Sequence, residues 1–175
     1  MCIRDSHISG MAELKKVTNC YALMGENSKS EVITLKVKDN EKIKIESIEL
    51  ETIYTPGHTD DSYSFVMNDR IFTGDTLLIN GTGRTDFQNG SAEDAYASLF
   101  NKLLKLPKDT LVYPAHDYNG KKFSTIENEK NNNPRLQVSS KEQYAEIMNN
   151  LNLANPKMMD IAVPANVKGL TLDRL

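Results

Sequence analysis

Three strand-like runs in this 175-residue chain end alike, each in a polar turn that carries an imidazole or a carboxylate. Glu51 to Thr55 runs into PGHTDD, Arg70 to Thr73 into GDTLL, and Thr110 to Tyr113 into PAHDY. His58, Asp75 and His116 thereby share one position, just past the C-terminal end of a strand. Loops held at strand ends by a rigid sheet are where binding and catalytic groups are commonly assembled.

The rest of the pattern supplies that sheet and its cover. Cys20 to Met24 and Val32 to Val37 read as short strands, with a turn at Asp39-Asn40. Ile43 and Ile45, then Ile48 and Leu50, alternate with charged residues, which suits an antiparallel edge region with one solvated face. Ser62 to Met67 adds a further strand. A helix is expected over Ile8 to Val17, and another from the N-cap Ser91 to the stop at Pro107. In the second, Ala92, Ala95, Tyr96, Leu99, Phe100, Leu103 and Leu104 make one apolar stripe. Two polar helices follow, Ser124 to about Lys130 and Ser140 to Leu151, parted by Asn131 to Pro134. Strands first, then helices interleaved with strands, predict a layered α/β (α+β) domain.

Composition narrows the function classes. The formal net charge of −3, without long charge runs, argues against a nucleic-acid or membrane-surface partner. No apolar run approaches a membrane span. Two cysteines, Cys2 and Cys20, make no disulfide framework, so the expected compartment is the reducing cytoplasm. The leader MCIRDS matches neither helix nor strand periodicity and is set apart from fold reasoning, as a non-native or artefactual leader or a short disordered N-terminus.

Imidazole and carboxylate suit zinc or non-haem iron, and two histidines with one carboxylate form the non-haem iron(II) triad. Taken singly, each of His58, Asp75 and His116 reads more readily as a surface loop residue than as a metal ligand. Their common placement favours a metal site.

TPGHTDDSYSF, IFTGDTLL, GTGRTDFQNG, YPAHDYNG and NNPRL together resemble the metallo-β-lactamase fold superfamily, and within it the branch of persulfide dioxygenases. The resemblance runs over about residues 7 to 168 and includes IMNNLNL and PANVKG. It implies a metallo-β-lactamase-like αβ/βα sandwich over residues 7–175, lacking its N-terminal strands. The family's first metal motif, HxHxDH, resembles this chain only at its last position, His7; Ser6, Arg4 and Cys2 stand where its other ligands would be.

The resemblance assigns His58 and Asp75 to an iron triad whose first histidine has no counterpart here. His7 and His116 match residues that lie near that metal or complete a second metal position. Arg84, Tyr118 and Arg135 become candidates for holding glutathione persulfide, arginine having the planar fork that suits carboxylates. The alternatives are an ion pair of Arg84 with Asp86 or Asp75, an edge-of-core hydrogen bond for Tyr118, and a surface charge for Arg135. The implied reaction is iron(II)-dependent oxidation of glutathione persulfide by dioxygen to sulfite and glutathione, impaired in a truncated chain. Its competitors are a glyoxalase II-like hydrolase of thioesters using two Zn(2+) ions, and an inactive metal-binding fragment. A homodimer is the assembly to test for.

Overall fold

The computed structural model describes residues 7–87, 89–117, 119–154 and 158–171. Near its start, α1 (Met11–Thr18) ends at Asn19, which adopts a left-handed conformation and returns its N–H to the Lys15 carbonyl. Two short strands follow, β1 (Leu23–Gly25) and β2 (Leu35–Val37), paired in parallel. They are shorter than the apolar runs that announce them, because Ala22 spends its carbonyl on Thr34 and Leu35 outside the ladder.

The alternating stretch then builds β3 (Lys42–Ile45), β4 (Ile48–Tyr54), β5 (Tyr63–Val66) and β6 (Arg70–Gly74), an antiparallel meander. Ile48 to Leu50 and Glu51 to Thr55, expected as separate strands, form the single strand β4. A small hairpin follows, β7 (Leu77–Leu78) with β8 (Gly81–Thr82), too short to leave a period in the sequence.

From the Ser91 cap, whose Oγ accepts the Asp94 N–H at 3.1 Å, rises α2 (Ala92–Tyr96). The expected single helix does reach Pro107, but Ala97–Lys102 winds as a π-helix and Leu103–Lys105 as a 3₁₀ turn. The wider turn lets Leu99, Leu103 and Leu104 all face the core. Ser98 Oγ and Lys102 Nζ fasten this segment to the Pro56 and Tyr54 carbonyls.

Next come β9 (Leu111–Pro114), β10 (Ser124–Thr125) and α3 (Ile126–Asn132). The helix expected from Ser124 starts two residues later because Ser124 and Thr125 pair with β9 and the Thr125 hydroxyl caps α3. It takes in Asn131 and Asn132, and ends at Asn133, held out of the helical region before Pro134. A 3₁₀ turn (Pro134–Leu136) leads to α4 (Lys141–Asn149) and α5 (Met159–Lys168). Pro164 inside α5 hid that helix from the sequence pattern. Among the described residues no helix is long and apolar enough to cross a membrane.

The main sheet has the order β10-β9-β6-β5-β4-β3, with β6 and β9 parallel and the other pairs antiparallel. One face is covered by helices: Ile71 and Val112 pack with Leu99, Leu103, Ile126, Tyr144 and Met148 in the core. Each fully buried aliphatic side chain there contributes about 1.5–3 kcal/mol. On the other face β1 presses on Tyr63; a Cβ at Gly25 would lie 2.1 Å from the tyrosine ring. Phe72, Tyr113 and Phe123 continue that face as a chain of ring contacts.

A candidate metal site at one sheet edge

The strand directions bring the three turns together. β4 and β6 both run antiparallel to β5, and β9 runs parallel to β6, so all three strands end at the same edge. His58, Asp75 and His116 stand on the turns that leave this edge. Gly57 adopts φ +143° and lies so close to α2 that a Cβ would meet Ala95 Cα at 2.4 Å. Its carbonyl accepts the Ser91 N–H at 2.9 Å, pinning the His58 turn to the helix start. Gly74, at φ 58°, turns the chain sharply before Asp75.

His58 is buried, 7% exposed, and its Nδ1 lies 2.8 Å from the Arg84 carbonyl. A carbonyl only accepts, so Nδ1 carries a proton, and in the neutral ring Nε2 keeps its lone pair. Nε2 faces Asp75 Oδ2 at 3.9 Å, and Asp75 Oδ1 lies 3.2 Å from His116 Nδ1. Asp75 is largely buried, and among the described residues its Oδ1 accepts no hydrogen bond of good geometry. Leaving a buried carboxylate oxygen in that condition is costly, and a cation would relieve it.

The donors fit a metal ion in pairs. An ion bonded at about 2.0–2.2 Å to an imidazole nitrogen and a carboxylate oxygen holds them roughly 3–4 Å apart. His58 with Asp75, and His116 with Asp75, both meet that spacing. Among the described residues no group of three or more His, Cys, Asp or Glu side chains is arranged to hold an ion.

The remaining candidates make the following contacts. His7 is exposed, and Asn166 of α5 holds its carbonyl at 2.9 Å. Arg84 grips Asp86 with two hydrogen bonds of 2.6 Å, reaches the Leu153 and Ala154 carbonyls, and lies over the Phe87 ring. Those bonds hold the Asp86 carboxyl below the usual carboxylate range. Of the two ion pairs considered for Arg84, the one with Asp86 is present. Arg135 donates to the Thr82 carbonyl, so its guanidinium braces the segment leading to Arg84. Tyr118 and the leader 1–6 lie outside the described residues.

Two residues were missed by reading the sequence. Gly83 fits between the metal candidates: a Cβ there would lie 2.0 Å from the Asp75 carbonyl oxygen and 3.0 Å from the His58 side chain. Glu129 is fully buried. Nothing in IENEKNN separates it from its solvated neighbours, although Gly83 between Thr82 and Arg84 was a visible signal of close approach.

The metallo-beta-lactamase superfamily profile matches residues 7–116. The human protein named persulfide dioxygenase ETHE1, mitochondrial, is 44% identical over 165 residues, 93% of this chain and 64% of the human one. The chain thus spans somewhat less than two thirds of that relative's length. A hydroxyacylglutathione hydrolase of Dictyostelium discoideum is 34% identical over 72% of this chain and 50% of its own. The crystal structure of ETHE1 from Myxococcus xanthus superposes with a TM-score of 0.91 at 42% identity, covering 94% of this chain and 73% of that one. With its mixed sheet, its helical cover and these similarities, the chain belongs to the metallo-beta-lactamase superfamily, in the ETHE1 branch.

Proposed function

We propose that this chain holds iron(II) through His58 and Asp75 and oxidises glutathione persulfide with dioxygen to sulfite and glutathione. The observation that carries this reading is the His58–Asp75 pair. Nε2 faces Oδ2 at 3.9 Å, within a chain 42–44% identical to proteins named for ETHE1. Iron(II) supplies the one-electron chemistry with dioxygen that side chains lack. The protein's part is to hold the ligands and to shape their surroundings. The Arg84 carbonyl fixes the His58 tautomer, and Gly83 leaves room for ring and carboxylate to converge. His116, 30% exposed, has its buried Nδ1 3.2 Å from Asp75 Oδ1 and is assigned a place beside the metal. Arg135, Tyr118 and Arg84 remain the proposed contacts for the tripeptide; Arg84 would have to share its guanidinium with Asp86. We assign the chain to the cytoplasm on its two cysteines, and a homodimer is the assembly to test.

A second reading has its own observation. Asp75 has His58 beside one oxygen and His116 beside the other, the arrangement a carboxylate shared between two Zn(2+) ions requires. It would serve thioester hydrolysis, and the relative named hydroxyacylglutathione hydrolase gives it some support. Metal analysis after anaerobic purification, with oxygen uptake on glutathione persulfide and hydrolysis of S-lactoylglutathione, separates the two. Iron with oxygen uptake supports the dioxygenase. Zinc with thioester cleavage replaces it, and silence in both assays leaves a metal-binding fragment.

A further inference from the structure

We infer that Glu129 and Asn133 are positioning residues for the His58 imidazole, acting through the strap Asn80–Arg84. The inference rests on the site described above, although its first test needs no metal.

The strap is held at every residue. The Asn80 N–H donates to Glu129 Oε2 at 2.9 Å. Asn133 Nδ2 donates both to the Gly81 carbonyl at 2.9 Å and to Glu129 Oε2 at 2.8 Å. The Thr82 carbonyl accepts from Arg135, and its hydroxyl meets the Tyr144 hydroxyl at 2.9 Å. Gly83 packs directly on the Asp75 carbonyl and the His58 side chain. The Arg84 carbonyl accepts from His58 Nδ1, and its guanidinium is tied to Asp86, Leu153 and Ala154.

The anchor of this strap is unusual. Glu129 is fully buried, yet its hydrogen-bond partners among the described residues are neutral donors: Ser124 Oγ and Asn128 Nδ2 on Oε1, the Asn80 N–H and Asn133 Nδ2 on Oε2. A buried carboxylate is an expensive way to join two helical turns, since an apolar side chain would serve as well. Its geometry suits another task. One oxygen faces α3, the other faces the strap, so the carboxylate fixes the distance between them. That distance sets where the Arg84 carbonyl meets His58, and hence which ring nitrogen is left to face a metal beside Asp75. A partner bonded directly to a ligand, as the Arg84 carbonyl is to His58, typically changes metal affinity by about 10–100-fold, and the strap passes the lower end of that effect to Glu129 and Asn133.

Two variants separate positioning from plain support. Asn133→Ser keeps a hydroxyl to cap the 3₁₀ turn but cannot reach the strap. Ser124→Ala removes a bond only on the α3 side of Glu129. In the parent chain, ring-nitrogen chemical shifts of His58 should show a single tautomer, protonated at Nδ1, with a slowly exchanging proton. Asn133→Ser should mix the tautomers, speed that exchange and weaken anaerobic iron(II) binding about tenfold. Ser124→Ala should lower the melting temperature while leaving both His58 readouts and iron(II) affinity in place. Equal loss of melting temperature in the two variants, with unchanged His58 signals, would overturn the inference. So would a parent chain in which His58 already populates both tautomers. If Asn133→Ser does not fold, Asn133→Thr carries the same expectation, because it too keeps a hydroxyl at the cap and is too short to reach Gly81 and Glu129 together. A parent chain that binds no iron(II) counts against the proposed function alone; the tautomer readouts still decide positioning.

Discussion

Two buried carboxylates in this molecule are treated in opposite ways. Glu129, fully buried in α3, accepts hydrogen bonds on both oxygens from four donors. Asp75, largely buried after β6, has imidazoles beside both oxygens, and Oδ1 accepts no hydrogen bond of good geometry among the described residues. A satisfied carboxylate is part of the scaffold. An under-satisfied one between histidines stays open to a cation. The difference teaches that burial alone does not mark a functional acid; what its oxygens lack does.

The sharpest way to break the comparison is to remove the scaffold acid. Glu129→Ala leaves the Asn80 N–H and the Asn133 amide without their acceptor, at about 1–3 kcal/mol for each buried donor. The expected loss is roughly 3–5 kcal/mol in chemical denaturation. A loss under about 1 kcal/mol would place Glu129 among ordinary helix residues.

Tyr144 tests the same core by pH. Burial pushes its hydroxyl up to about 12, above the ordinary value of 10.0. The unfolded chain therefore gives up this proton first as pH rises, and the folded chain later. Stability from this group is fully present below pH ~10 and falls as pH climbs toward 12, by about 2–3 kcal/mol in total. Tyr63, also raised to about 12 by burial, adds to the same alkaline fall. Tyr144→Phe should flatten part of it in melts taken across that range; an unchanged slope would show the hydroxyl to be solvated.

Asp75→Asn is expected to do the reverse of Glu129→Ala. Stability should stay within about 1 kcal/mol of the parent, since no hydrogen bond to Oδ1 is lost. Iron(II) affinity should fall at least about tenfold. Strong destabilisation with unaltered metal binding would make Asp75 the scaffold acid of the two. The smallest effect is expected at Arg84→Lys. Asp86 is well exposed, so the two-pronged contact itself is worth no more than about 1 kcal/mol, provided the lysine keeps a bond to the Leu153 or Ala154 carbonyl. The Asp86 carboxyl, held low by that contact, should titrate closer to the ordinary range, as its side-chain carbon resonance would report.

Much of the fold was legible in local pattern. Alternation of Ile43, Ile45, Ile48 and Leu50 gave the edge strand β3 and its neighbour β4, and the stripe from Ala92 to Leu104 gave the helix over the core. The Ser91 cap and the Pro107 stop sit where their chemistry demands. The π turn at Ala97–Lys102 was hidden, because its cause lies in contacts with Pro56 and Tyr54, far away in the chain. α5 was hidden by Pro164, and the β7–β8 hairpin by its brevity.

The site divides the same way. By itself the sequence determined that His58, Asp75 and His116 follow strands, because strand periodicity and Pro-Gly turns are properties of neighbouring residues. Only the tertiary structure decided that those strands end at one edge, that Arg84 offers its backbone to His58 while its side chain serves Asp86, and that Glu129 lies inside. Strand direction, a carbonyl's aim and the burial of one carboxylate among several are set by what packs from elsewhere in the chain, and no local spacing encodes them.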